Sequence, residues 1–528
     1  MLSTVIKYIN TLKYLTFEQL FFQVYYKLRK YARMLIGYRA SISLYKRGIK
    51  LSPKVSWINK LSYYKGGNRF NILNQEYIFS GKWDDVAYTA LWRYNLNYMD
   101  FILQKDFSIE EGICWIDNFI SSIPVNKIAF DPYPISLRGM NWIKFVSQNY
   151  DNLTSEQIKK IDTALYSQYH QLLNSTERHL MANHYLENGF SLLFAAYYFD
   201  DEKIYKASER ILLSQLKEQI LTDGAHFELS PMYHCIILER ILDCYNIIDA
   251  QKHKHLNHII YESAIKMLGW LDAVVDVNDE IPLFNDSARE FAMSPSQIRD
   301  YASALGLKWS SVVLRESGYR RWRKGNYEVI ADVAALGPSY NLGHSHADTF
   351  SFVMNVGSEP FIVDSGTSTY EAGLRRNYER STSSHNTVSL KEKNSSNVWG
   401  AFRCAERATV TIINEREDSI KAEHNGYESV GVRCVREFVC NDDTLEITDE
   451  LLGNYKEYAT ARIHLAPQVK IVDVRDNAVV TSLGTISFIG AGEINIKDVY
   501  VAFKYNALES AKCISVKFEN NLKTRITF

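Results

Sequence analysis

At roughly 150 residues per domain, a chain of 528 residues allows about two to four domains and a large buried core, which excludes a small stapled scaffold. Apolar residues make up 46% and charged residues 23%, with only 25 Gly and 10 Pro, so disordered, collagen-like and low-complexity classes are excluded as well. Sixty Lys and Arg against 61 Asp and Glu leave a net charge of -1, and with no basic excess no nucleic-acid partner is expected. Aromatic residues reach 13%, with 35 Tyr and 9 Trp, a bias that suits stacking on sugars and equally suits helix packing.

Residues 1–84 read as an N-terminal helical extension. Lys7, Lys13, Glu18 and Gln23 interrupt any apolar core of a secretion signal and no small-residue cleavage site follows, so none is read and a cytoplasmic location is expected. No run of 18 apolar residues occurs, so no spanning helix is expected. Phe17, Leu20, Phe21, Val24 and Leu28 recur at helical spacing among seven basic residues, Lys7, Lys13, Lys27, Arg29, Lys30, Arg33 and Arg39. The apolar stripe is expected to pack on the main body. The alternative is peripheral contact of this basic helix with an anionic membrane surface.

From residue 85 to 309 the apolar period is helical. Ile158, Ile161, Leu165, Tyr169 and Leu172 follow a Thr154-x-x-Gln157 capping box, Ile204, Ala207 and Ile211 repeat the pattern, and Asp223-Gly224 closes that segment. Such helices joined by short turns imply a bundle, solenoid or toroid. From residue 310 to 528 the period becomes two, as in EVIADVAAL, FSFVMNV and PFIVDSG, with Gly and Asn-Asp turns, which reads as an antiparallel β-sandwich. No βαβ alternation appears. The seven cysteines are scattered with no CxxC spacing, which argues for buried or reduced thiols. An α+β two-domain protein of this kind is expected to hold its site at the junction of the halves.

Three constellations carry candidate chemistry. The stretch from Gly343 to Val388 gathers His344, His346, Asp364 and His385. On an extended chain His344 and His346 face the same way, and the spacings of 18 and 21 residues that follow allow neighbouring strands to bring one ligand each to a common point. Two imidazoles and a carboxylate are a usual zinc set; the alternative is that these histidines satisfy backbone carbonyls. In NHYLENG, Asn183 precedes His184 and Glu187, which are three apart and share a helix face, where the carboxylate can hold the imidazole tautomer. In DGAHFELSPMYH, Ser230-Pro231 reads as a helix start with Tyr233 in the first turn, where the helix dipole could lower the phenol pKa. FDPYPISLRGMNW adds Tyr133, Arg138 and Trp142 as substrate-binding candidates, Arg138 through a bidentate hold on a carboxylate. IPLFNDSA adds Asp286.

With these segments in view, the chain resembles the heparinase II/III-like polysaccharide lyases, which include alginate-lyase relatives and proteins of bacterial capsule and exopolysaccharide clusters. The resemblance rests on NHYLENG, DGAHFELSPMYH, IPLFNDSA, GHSHAD, FIVDSGT and SSHNTV in that order, and covers residues 85 to 410. It implies an incomplete (α/α) toroid followed by an antiparallel β-sandwich. Position by position it implies Asn183 as neutraliser of the substrate carboxylate, His184 beside it, Glu187 as support, Tyr233 and His344 as catalytic residues, and His346, Asp364 and His385 as ligands of one site-organising zinc. One departure stands out: relatives commonly place Gly before the aspartate of IPLFNDSA, and here Asn285 stands there, so the turn is expected to differ.

The implied reaction is β-elimination at a uronic acid of an anionic polysaccharide, glycosaminoglycan-like or of capsule type. The C5 proton is a poor acid beside a carboxylate, so donors on that carboxylate stabilise the developing enolate, at about 3 to 4 kcal/mol for each well-placed one. Tyr233 is the expected acid, and the base as well when proton and leaving group are syn; His344 is the base when they are anti. The rival readings are a metal-dependent polysaccharide hydrolase or deacetylase, and a non-catalytic carbohydrate-binding protein.

Overall fold

Many helix starts are fixed by side-chain caps. The computed structural model describes residues 2–528 other than Arg39, Ser62 and Glu392, with the backbone alone for residues 2–6. Arg39, one of the seven basic residues of the N-terminal stretch, thus lies outside the described residues. The helices are α1 (Leu2–Leu12), α2 (Phe17–Leu35), α3 (Ala90–Tyr98), α4 (Ile109–Ser122), α5 (Pro132–Asn149), α6 (Ser155–Leu173), α7 (Ala182–Phe199), α8 (Glu202–Gln219), α9 (Pro231–Ile247), α10 (Lys254–Val274), α11 (Pro295–Ala304) and α12 (Leu374–Glu379). Thr154 and Gln157 close the capping box of α6, and Ser230 caps α9 with Pro231 at its first position, where a missing N–H costs nothing.

Helices α5, α7 and α9 are buried on nearly every side and pack on one another in sequence, and each has an amphipathic neighbour outside it, α6, α8 and α10 respectively. Burial of α5 and α9 extends to charged side chains, and Lys144 of α5 pairs with Asp243 of α9 at 2.5 Å. One apolar cluster runs through this helical half and a second through the strands that follow.

After a small hairpin, β1 (Arg69–Ile72) and β2 (Gln75–Ile78), all strands lie beyond Ala304. β3 (Tyr319–Lys324), β4 (Tyr327–Asp332), β5 (Phe352–Val356) and β6 (Glu359–Ile362) form an antiparallel sheet in that order. A ten-stranded antiparallel sheet takes in β7 (Val388–Leu390), and, past the β8 (Val398–Trp399) and β9 (Arg403–Cys404) hairpin, β10 (Val410–Arg416), β11 (Ser419–His424), β12 (Val432–Cys440), β13 (Thr444–Gly453), β14 (Ala459–His464), β15 (Ile471–Arg475), β16 (Ala478–Thr481), β17 (Thr485–Lys504) and β18 (Ala507–Thr527). Strands such as β11 alternate buried and half-buried residues, and Trp322 and Phe352 of the smaller sheet meet Phe438 of the larger one. The 19 residues between β4 and β5 carry His344 and His346; Asp364 follows β6, Arg376 stands on α12, and His385 follows a 3-10 turn, Thr382–Ser384. The three residues expected as zinc ligands thus come from connections rather than from neighbouring strands.

One expectation is reversed. The apolar stripe of α2 does not pack on the body: Phe17, Phe21, Val24 and Leu28 are exposed, and the helix is held by its other side. Among the described residues no helix is long and apolar enough to cross a membrane, and all seven cysteines are unpaired.

Candidate active site

A cavity of about 470 Å³ opens where the two halves meet, lined from the helical side by Tyr133, Asn183, His184 and Tyr233 and from the strand side by His344, Tyr370 and Phe402. Asn183 reaches it from the first turn of α7. The chain enters that turn through Met181 and Ala182, with φ of +58° and +51°, a region that side chains other than glycine adopt at a cost of about 1–3 kcal/mol each. Three bonds hold it there: Met181 N–H donates to the Glu177 carbonyl at 2.8 Å, Gln219 Nε2 to the Ala182 carbonyl at 2.9 Å, and Asn183 N–H to Glu228 Oε1 at 2.9 Å. Asn183 Nδ2 also donates to Glu228 and lies 3.5 Å from His344 Nε2.

His344 is fixed from behind. Its Nδ1 lies 2.9 Å from Asp286 Oδ2, and an ionised carboxylate only accepts, so Nδ1 carries the proton and Nε2 faces Asn183 and Glu228 Oε2, the latter at 3.6 Å. The ring packs against Tyr233 with centroids 3.9 Å apart and planes tilted by 31°, and the Tyr233 hydroxyl lies 3.4 Å from that of Tyr370. Burial pushes Tyr233 well above the usual phenol range, which overrides the helix-dipole lowering expected from its first-turn position. Burial also works to raise Glu228, but His344, His226 and the Asn183 amide outweigh it and leave its carboxyl below the ordinary value.

His184 lines the cavity against the Tyr133 ring, with centroids 4.5 Å apart. Its Nδ1 meets Glu177 Oε1 at 3.1 Å rather than Glu187. Burial opposes the charged ring, yet Glu177, with Glu228 and Glu187 nearby, raises its pKa above the ordinary imidazole value.

Three expected substrate contacts fall outside the cavity. Glu187 is fully buried and accepts from Arg240 Nε at 2.9 Å, because α9 supplies a guanidinium on the face it occupies. Arg138 is fully buried, bonded to Gln168 Oε1 and to the carbonyls of Asn97 and Ala129 with its guanidinium over the Phe119 ring, and burial pulls its pKa down to about 9. Trp142 is equally buried, its Nε1 against Met99 Sδ at 3.2 Å. These residues build the wall rather than touch its contents.

Behind His344 lies a second, closed cluster. Asp286 takes a bidentate hold from buried Arg376 and accepts from His346 Nε2 at 2.9 Å, so one carboxylate stands between the two imidazoles. Asn285 before it takes φ of +56°, the left-handed conformation that favours glycine and that Asn tolerates best among other residues, so this turn is of the kind a glycine makes. Its side chain adds bonds a glycine lacks, to the Leu229 carbonyl and the His346 N–H.

The expected zinc ligands show a mixed fit. His346 Nδ1 and His385 Nε2 are buried with no hydrogen-bond partner, the rings lie 5.3 Å apart, and burial pulls His346 down to about 3, which keeps it neutral with a free lone pair. His385 Nδ1 instead meets Asp364 Oδ2 at 2.8 Å, and although burial opposes its charge, Asp364 and Asp348 hold that ring above its ordinary value. Among the described residues no three His, Cys, Asp or Glu side chains converge as a ready metal site. The donor chemistry suits zinc, with a proton to be displaced from His385 first.

Residues that pattern alone did not single out complete the site: Glu177, Tyr370 and Arg376, and the partner role of Glu228. Glu228 and Arg376 lie within segments rich in His and Asp, which was the available signal; Glu177, seven residues before His184, gave none.

Residues 181–306 match the family described as heparinase II/III N-terminus, and residues 307–528 match heparinase II/III-like, C-terminal. The chain belongs to the heparinase II/III-like family. Among characterised relatives, a heparin-sulfate lyase of Pedobacter heparinus is 25% identical over 256 residues, covering 43% of this chain and 39% of that protein. A heparin-sulfate lyase of Bacteroides stercoris is 24% identical over 305 residues, covering 52% and 44%. The chain thus matches less than half the length of these heparinase relatives. A heparinase III crystal structure shares the fold with a TM-score of 0.64 at 16% identity, over 82% of this chain and 76% of that one. The heparan sulfate lyase HepC mutant from Pedobacter heparinus gives 0.56 at 15% identity, over 87% and 81%.

Proposed function

We propose that this protein is a polysaccharide lyase that cleaves a uronic-acid-containing polymer by β-elimination, on a scaffold of an incomplete (α/α) toroid and a β-sandwich. The observation that carries the reading is the close packing of Tyr233 against His344 in one cavity with Asn183 and His184 beside them. Asn183 Nδ2 and the His184 imidazolium donate to the substrate carboxylate and stabilise the enolate as the C5 proton leaves. His344 Nε2, turned to the cavity because Nδ1 is held by Asp286, takes that proton. Tyr233, kept protonated by burial, delivers its proton to the departing O4, leaving a C4–C5 double bond.

The substrate is an anionic polymer whose charge at the cleavage point is the uronate itself. Lining cations Lys60 and Arg240 are already paired with Glu239 and Glu187, and Asp100 and Glu371 also line the cavity, so a densely sulfated chain would meet carboxylates. The aromatic lining, including Tyr94, Tyr133, Phe291 and Phe402, suits stacking on sugar faces.

We also propose that His346, Asp364 and His385 take up one zinc ion, supported by the two orphaned ring nitrogens. When bound, the ion would tie together the three connections that carry them. Asp286 would then orient His346 through Nε2 while holding His344 with its other oxygen.

The experiment is incubation with a panel of non-sulfated and sulfated uronate polymers, following ultraviolet absorbance. Rising absorbance with wild type, lost by a factor of about 10²–10⁴ in Tyr233→Phe at unchanged melting temperature, is the expected result. New reducing ends without absorbance, or full turnover by Tyr233→Phe, would overturn it.

A further inference from the structure

Helix α2 is mounted with its apolar side away from the protein. Phe17, Phe21, Val24, Leu28 and Leu35 recur at intervals of four, three, four and seven, so they fall on one stripe of the helix. Each is more than half exposed, from 52% at Phe21 to 83% at Phe17 and Leu35. The opposite side does the holding: Gln19 Nε2 donates to the Leu180 carbonyl at 3.2 Å, the Tyr26 hydroxyl to the Thr176 carbonyl at 2.6 Å, and Arg29 to the Asn174 carbonyl. A surface helix of a folded domain ordinarily turns its apolar stripe to the core, and contiguous exposed apolar surface of this extent marks a contact.

Charge selects the partner. The first 50 residues hold ten Lys and Arg against Glu18 alone, in a chain whose net charge is -1. Glu18 is itself engaged by Arg178 at 3.5 Å, and Lys27 stands exposed on one flank of the stripe. A second copy of the chain would bring these like charges together, and an anionic sugar polymer would gain nothing from the apolar stripe. An anionic bilayer surface satisfies both features at once, since apolar side chains enter the acyl boundary while lysines meet headgroups.

We propose that α2 lies in the surface of an anionic membrane and holds the rim of the cavity against it. Leu180, whose carbonyl receives Gln19, also lines the cavity, as does Asn341, which donates to the same carbonyl at 3.3 Å.

The test is co-sedimentation of the full chain with vesicles of phosphatidylcholine alone and of phosphatidylcholine mixed with phosphatidylglycerol. Binding to the mixed vesicles only is expected, weakened roughly fivefold in Lys27→Gln, and lost in the Val24→Glu, Leu28→Glu double variant. These side chains are exposed, so melting temperature and polymer cleavage should match wild type, which separates failure of the helix from failure of the lyase reading. No pelleting with the mixed vesicles, or undiminished pelleting of the double variant, would overturn the proposal. So would a concentration-dependent dimer that the double variant abolishes while vesicles bind nothing.

Discussion

Asp286 divides two clusters built from the same residue types with opposite character. On the cavity side, His344 has partners for both ring nitrogens and a phenol packed against it. On the inner side, His346 and His385 are fully buried and each leaves one nitrogen unpartnered. Imidazoles two residues apart thus take different roles because one meets space for a substrate and the other meets only protein. Histidine chemistry here is set by what surrounds the ring, not by its position in the motif.

The sharpest way to break this contrast is to remove the divider. Asp286→Asn should destabilise the protein by about 3–5 kcal/mol, because Arg376 is left buried without its charge partner. It should also abolish measurable turnover by freeing the His344 ring; thermal unfolding and absorbance assays check the two effects. Next in size, His344→Ala should lower turnover by about 10²–10⁴ with little change in melting temperature, since its ring faces a cavity. His346→Ala should do the reverse, costing about 1–3 kcal/mol of stability by leaving a buried polar partner unsatisfied. Metal analysis of protein purified without chelator should return about one zinc per chain in wild type and none in this variant.

The smallest effect is a shift of pH profile. Glu177 raises His184, so the charged donor persists to higher pH than an ordinary imidazole and is lost as pH climbs through that raised value. Glu177→Gln should move the alkaline limb of kcat/KM to lower pH while leaving the plateau near its original height. Stability gives a sign of its own: burial holds His226 and His234 down to about 4 and about 3, so both stay neutral when folded and gain protons when unfolded. Melting temperature should therefore fall as pH drops from about 6.5 toward those values.

Much of the fold was legible because period and caps are local signals. The Thr154 and Gln157 box and the Ser230-Pro231 start lie where α6 and α9 begin, and the change from helical to alternating period lies between Ala304 and Tyr319. Which side of a helix meets which neighbour is not local. Glu187 shares a face with His184 in sequence, yet Arg240 on another helix claims it, and the tautomer partner comes from Glu177 in the preceding loop. Arg138 has the chemistry of a carboxylate clamp but is consumed by Gln168 and carbonyls in the core. The stripe of α2 was legible as a stripe; its outward orientation depends on hydrogen bonds to residues some 150 positions away.

The bent doorway into α7 has one last consequence. Met181 and Ala182 are held in a conformation they would leave if released, and the clamps that prevent it are Gln219 and Glu228. Slackening those clamps would let the peptide relax and swing the Asn183 amide out of line with His344.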